Sequence, residues 1–241
     1  MRNARARRSE KRNLKHAGVD YLAPVDDCYY KEVKKVEPLR ALNQSQYDYI
    51  KSIEQNVITF GVGPAGVGKS YCAVSIAAEL LAAKKVEKII VCRPGIEVGR
   101  SWGALPGELR EKYLPFIEPV LNILEKRLGK ATVGYHEKRG NIEFKPLEYL
   151  RGATFDDSFV ILDEAQNVTC QQMKMFLSRI GENTTMIING DLEQKDLREK
   201  SGLDDAVNRL KGILGVGVVL FDLEDCVRSG MALEILKAYR F

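Results

Sequence analysis

The sequence predicts an α/β protein: a mostly parallel central sheet held between two layers of helices. Three observations predict it. Apolar, β-branched runs alternate along the chain with segments of helical periodicity. Several runs are apolar throughout, as strands covered on both faces are, instead of alternating with polar residues. The 241 residues are 45% hydrophobic and 29% charged, enough for one full core of this kind, and they show no internal repeat or second compact domain.

The elements follow in order. Residues 1–40 lack sustained periodicity and are broken by Pro24 and Pro38. Arg2, Arg5, Arg7, Arg8, Lys11, Arg12 and Lys15 face only Glu10, so this segment is expected to be a flexible basic arm able to meet nucleic-acid phosphates non-specifically. The folded domain is expected over 41–241. It opens with a helix over 42–54 and a buried strand, Val57-Ile58-Thr59-Phe60-Gly61-Val62. A helix over 71–85 carries Ala73, Val74, Ala77, Ala78 and Leu81 on one face. A strand over 88–92 ends at Arg93-Pro94-Gly95, and a Gly- and Pro-containing stretch fills 99–107. The next helix, 108 to about 128, is expected to be kinked or divided by Pro115 and Pro119. Lys138-Arg139-Gly140-Asn141 resembles a hairpin tip between strands 131–133 and 142–144.

Ser158 to Leu162 is an apolar strand that runs into Asp163-Glu164. Thr169 offers a helix N-cap with Gln172 as its capping-box partner, and Gly181 is expected to close that helix. A strand over 184–189, a helix near 203–211, a strand over 216–221 and a helix over 230–239 complete the order.

Composition excludes several classes. No stretch approaches the roughly 20 uninterrupted apolar residues of a membrane span. The N-terminus has no apolar core of the secretory type. Cys28, Cys72, Cys92, Cys170 and Cys226 are odd in number and never in C-x-x-C pairs, which argues against a disulfide framework or zinc site and fits a reducing cytoplasm. His16 and His136 stand alone and are expected at the surface.

Chemistry concentrates at Gly63-Pro64-Ala65-Gly66-Val67-Gly68-Lys69-Ser70, the pattern G-x-x-x-x-G-K-[ST] between a strand and a helix. The glycines let the backbone turn successive N–H groups into one concavity. Lys69 reaches the β- and γ-phosphates of a nucleoside triphosphate, and the Ser70 hydroxyl ligates Mg²⁺. The following helix adds the positive end of its dipole. Asp163, at the end of a buried strand, is expected to hold Mg²⁺ through its water shell opposite Ser70, with Glu164 orienting and deprotonating an attacking water. The gap between loop and acids leaves room for an intervening strand, 88–92. That arrangement and the absence of an N-K-x-D segment favour ATP hydrolysis over a GTP switch.

After the next strand, Gly190-Asp191-Leu192-Glu193-Gln194 offers Gln194, and less readily Asn189, as a sensor of the γ-phosphate. Gln46 offers an amide suited to a paired donor–acceptor contact with adenine.

These segments together resemble the PhoH family. The resemblance rests on the phosphate loop, Arg93-Pro94, Leu105-Pro106-Gly107, Leu150-Arg151-Gly152, Asp163-Glu164-Ala165-Gln166-Asn167, the stretch Gln172 to Arg179, Gly190-Asp191 and Ser201-Gly202-Leu203. It covers roughly residues 40–240. The resemblance implies a P-loop NTPase related to the ATP-binding core of superfamily 1 helicases. It further implies a cytoplasmic ATPase using ATP and Mg²⁺, linked to phosphate starvation and RNA metabolism. A homo-oligomeric ring is expected, a hexamer being the candidate size.

It assigns Gln46 to adenine, Lys69 and Ser70 to phosphate and metal, and Asp163 and Glu164 to metal and water. Gln194 becomes the sensor. Arg228 becomes an arginine finger, in its own subunit or a neighbour's. Ser229 stands where the family usually has His, Arg100 where an acid is common, and Val67 and Ser70 depart from Thr-Gly-Lys-Thr. The expected type is one of the short versions carried by phages, without a fused nuclease or RNA-binding domain.

The leading expectation is therefore an ATPase coupled to RNA or other single-stranded nucleic acid. Arg93, Arg100, Arg110, Lys112, Lys138, Arg139 and Arg151 are its candidate basic contacts, many of them expected to be salt-bridged or solvated instead. The alternative is an ATP-dependent regulatory or scaffold oligomer with little turnover, suggested by the lack of a second motor domain. A small-molecule kinase fits less well, because Glu164 and the Gly-Asp segment point to water as the acceptor.

Overall fold

In a computed structural model of the chain the described residues are 37–94 and 109–238, without 151, 153, 195, 198 and 229. The basic arm up to residue 36, the 99–107 stretch, His16, Cys28, Arg100, Arg151 and Ser229 lie outside them, as do the side chains of Arg110 and Lys112.

The elements run α1 (Gln44–Gln55), β1 (Ile58–Val62), α2 (Lys69–Ala82), β2 (Lys88–Arg93), α3 (Leu109–Leu128), α4 (Lys130–Lys138), β3 (Ile142–Pro146), β4 (Ser158–Leu162), α5 (Cys170–Leu177), β5 (Thr185–Gly190), α6 (Gly202–Leu210), β6 (Val216–Leu220) and α7 (Gly230–Ala238). Short 3₁₀ turns lie at 147–150, 165–167 and 223–225. The strands form one sheet in the order β3-β2-β4-β5-β1-β6, and every pairing in it is parallel. Among the described residues no helix is long and apolar enough to cross a membrane.

The two-residue period of a strand sorts the core into two halves. Ile89 and Val91, Phe159 and Ile161, and Ile187 face one side, where they meet Tyr49 and Ile53 of α1, Ala73 and Ala77 of α2, and Val120 and Leu124 of α3. Ile90 and Cys92, Val160 and Leu162, and Met186 and Ile188 face the other, against Met173 and Phe176 of α5 and Leu203 and Ala206 of α6. Both faces are dry, which is why these strands are apolar without alternation. Phe159 is 0% exposed at the centre of the first half. Phe159→Ala is expected to lower stability by about 3–5 kcal/mol, read as a shift in the urea midpoint at unchanged slope.

Four expectations need correction. Residues 130–138 form α4, and β3 pairs parallel with β2 instead of folding back as a hairpin. Gly129 at φ 89 starts α4 directly after α3, and Val133 buries its side chain in the core. Pro115 and Pro119 do not divide α3. In the sheet β5, not the 88–92 strand, separates the loop strand from the acidic strand. Finally, α5 ends at Leu177 and not at Gly181, although the Thr169–Gln172 capping box at its start is formed. Gly181 instead lies against Asp156 Oδ1 and the Phe155 carbonyl, where an added Cβ would come within 2.3 Å of each.

Candidate nucleotide site

Parallel strands end at one edge of a sheet, so the last residues of β1, β2, β4, β5 and β6 and the segments beyond them meet there. These are the 63–68 loop, Arg93, Asp163-Glu164, Asp191 to Gln194, and the turn to Arg228. They line a cavity of about 550 Å³ that includes Lys69, Ser70, Asp163, Glu164, Gln194 and Arg228.

The loop is preorganised by what its carbonyls do. Those of Gly63 and Pro64 accept from Lys69 Nζ at 2.6 and 2.8 Å. That of Gly66 accepts the Val227 N–H at 3.1 Å, and that of Val67 accepts Gln46 Nε2 at 2.9 Å. Among the loop's own N–H groups, that of Gly63 donates to the Gly190 carbonyl at 3.1 Å, and α2 begins at Lys69, where first-turn N–H groups have no partner within the helix. Gly68 has φ +93, a backbone conformation that favours glycine, and a Cβ there would lie 2.6 Å from Gln46 Nε2 and displace that amide. Lys69 is 9% exposed. Burial lowers its pKa from the ordinary lysine value, against the opposing pull of Asp191, Asp163 and Glu164.

Asp163 is 3% exposed. Its Oδ1 accepts the Ser70 hydroxyl at 2.8 Å. Its Oδ2 accepts Arg93 Nε at 3.2 Å and Nη2 at 2.5 Å. A hard-oxygen pair from a hydroxyl and a carboxylate at a buried strand end fits Mg²⁺, which keeps most of its waters and takes few protein ligands. Glu164 is half exposed and holds φ 57, a left-handed conformation rare outside glycine. Its Oε2 accepts Gln166 Nε2 at 2.9 Å.

Gln166 has no role among the sequence-based expectations, where it stands only within the stretch Asp163 to Asn167. The structure buries it between the ends of β4 and β5, where its Oε1 also accepts the Asp191 N–H at 3.0 Å. An amide two residues beyond the acid was the available signal. Arg93, counted among the basic residues facing nucleic acid, turns inward onto Asp163. Asn189 is fully buried beneath the loop, accepting from the Tyr49 hydroxyl at 2.5 Å, and does not line the cavity. Gln194 does line it, exposed, with its N–H on the Asp191 carbonyl at 3.1 Å.

Gln46 is engaged at both ends of its amide: besides the Val67 contact, its Oε1 accepts the Leu42 N–H at 2.9 Å. It edges an adjoining cavity of about 880 Å³ that shares Gly68, Tyr71 and Val227 with the first. Together the two have room for a triphosphate followed by a base. Arg228 lies over its own chain's loop: a Cβ at Gly66 would meet Arg228 Nε at 2.8 Å.

A family model described as PhoH-like protein matches residues 38–240. Protein PhoH of Escherichia coli K12 is 44% identical over 213 residues, 87% of this chain and 60% of that protein. A PhoH-like protein of Bacillus subtilis is 42% identical over 231 residues, 94% of this chain and 72% of that one. The chain thus spans well under the whole length of the Escherichia coli relative. Among solved structures, the HK97 bacteriophage large terminase aligns over 85% of this chain and 48% of its own, with TM-score 0.50 at 15% identity, a likeness of fold.

Proposed function

The chain belongs to the PhoH-like family, and on that premise we propose that it is an ATPase whose hydrolysis is coupled to RNA or other single-stranded nucleic acid. The observation that carries this reading is the convergence, at one sheet edge, of a preorganised phosphate loop, the Ser70–Asp163 pair and Glu164.

In this proposal the loop N–H groups and the α2 N-terminus hold the phosphates. Lys69 leaves the Gly63 and Pro64 carbonyls for the β- and γ-phosphates. Ser70 and Asp163 would hold Mg²⁺, which supplies charge neutralisation on the phosphoryl oxygens. Glu164, steadied by Gln166, takes the proton of the attacking water. Gln194 senses the γ-phosphate, and Arg228 supplies positive charge to the leaving phosphates from its own subunit, a reading supported by its place over Gly66. Gln46 reads the base once its amide is released from Leu42.

Partners follow from exposed surface. Lys138 and Arg139 end α4 in solvent, and with the residue 1–40 arm they are proposed to contact nucleic-acid phosphates. Assembly into a ring is supported by β6, an edge strand of the sheet among the described residues, and by exposed Leu220, Met231 and Ile235 at and after it in the chain. The same apolar surface favours the second reading, a scaffold that assembles with ATP but turns over little.

One experiment separates them. Phosphate release is measured with and without single-stranded RNA at low salt, beside Lys69→Ala, while oligomer size is followed with and without ATP. Release that RNA accelerates and Lys69→Ala lacks is the expected result. Assembly without steady release would favour the scaffold, and indifference to RNA at low salt would remove the nucleic-acid half.

A further inference from the structure

Asp163 and Glu164 are countered from within the site by an arginine that no part of the hydrolytic scheme uses. The pairing of β2 with β4 aligns Cys92 with Leu162, so the next residues, Arg93 and Asp163, leave the sheet side by side. Arg93 Nη2 lies 2.5 Å from Asp163 Oδ2 and 3.7 Å from Glu164 Oε1. The guanidinium is held from behind by Nη1, which donates to the Phe116 carbonyl, and the residue's backbone N–H donates to the Tyr113 hydroxyl at 2.9 Å. Its side chain is only 13% exposed, so little water screens it from the two acids. Lys69 adds a second positive charge in the same cavity, opposed by Asp191.

Both carboxylate oxygens of Asp163 are therefore occupied, Oδ1 by Ser70 and Oδ2 by Arg93. A divalent cation arriving alone would displace the Ser70 hydrogen bond and still face a buried guanidinium across one carboxylate. Arriving with a polyphosphate, it brings anionic oxygens that outweigh that guanidinium.

We propose that Arg93 makes divalent-cation binding at Ser70 and Asp163 conditional on a polyphosphate, so that the site does not fill with free metal. The proposal rests on the nucleotide reading for where the metal sits. It differs in sign from a structural role for Arg93. An arginine that only orients Asp163 would, once removed, weaken metal binding; one that excludes free metal would, once removed, strengthen it.

The test titrates Mn²⁺ into the full chain without nucleotide and follows free Mn²⁺ by electron paramagnetic resonance. Wild type is expected to bind weakly, and Arg93→Gln roughly tenfold or more tightly, the scale set by removing a unit charge a few ångströms from a divalent ion at intermediate dielectric. Arg93→Lys should stay near wild type. Adding Asp163→Asn to Arg93→Gln should abolish the gain. Unchanged or weaker binding in Arg93→Gln overturns the proposal. Should that variant not fold by circular dichroism, Arg93→Met, which keeps the packed aliphatic stem, serves the same comparison. Calorimetry of wild type with ADP and Mg²⁺ tests the nucleotide reading separately, because absent affinity there would leave the Mn²⁺ comparison intact.

Discussion

Lys69→Ala is expected to remove the stabilisation that ATP and Mg²⁺ give the wild-type protein on heating, while the nucleotide-free melting temperature moves by only a few degrees. Lys69 is buried against the loop, and desolvation there disfavours its charge, as its lowered pKa records. Without a ligand its ammonium donates to the Gly63 and Pro64 carbonyls, and the loss of those bonds in the variant is offset by no longer burying a charge. With a ligand the same ammonium meets two phosphates. Two charge-assisted hydrogen bonds in a partly dry site contribute roughly 3–5 kcal/mol, or about 10²–10⁴-fold in affinity. Calorimetry with ATP and Mg²⁺ measures it. Retained affinity would mean that phosphate is held by something other than this loop, and the reading of the whole sheet edge would fall with it.

The loop was legible because its chemistry is local. Eight consecutive residues specify the turn, the cation and the start of α2, and no distant partner is needed to recognise them. The acidic strand was legible for the same reason. Its place in the sheet was not, because that depends on pairings between segments far apart in the chain. β2 sits beside both β3 and β4, and β5 enters between β4 and β1. The supposed hairpin failed on the same ground. Thr132 and Val133 favour a strand locally, but Val133 finds its apolar partners in the core alongside α3, and Ile142 finds its own strand partner in Ile89. Register likewise decides Arg93: its alignment beside Asp163 turns an apparently free basic residue into a buried counter-charge. Gln166 was hidden differently. Its bond to Glu164 is local, but the one that fixes its place, from the Asp191 N–H, exists only once β4 and β5 lie side by side.

Glu164→Gln is expected to leave ATP binding intact and to cut turnover by about 10²–10⁴-fold, the usual contribution of a positioned base. The substitution keeps shape and removes only the ability to accept a proton as a carboxylate. Bound ATP that persists without phosphate release, in a single-turnover assay, is the expected signature; hydrolysis at the wild-type rate would assign the base elsewhere. The backbone supplies a second arm to the test. Glu164 occupies φ 57, ψ 38, which costs a non-glycine residue about 1–2 kcal/mol, and glycine would sit there without that strain. Glu164→Gly should therefore be as stable as wild type or up to about 1 kcal/mol more stable, while being at least as inactive as Glu164→Gln. A strained residue whose removal relaxes the fold but stops the reaction is held for what its side chain reaches. Here that is the mouth of the cavity, with Gln166 on one carboxylate oxygen and Arg93 near the other. If Glu164→Gly proves both less stable and fully active, the conformation serves packing alone and the carboxylate has no part in hydrolysis.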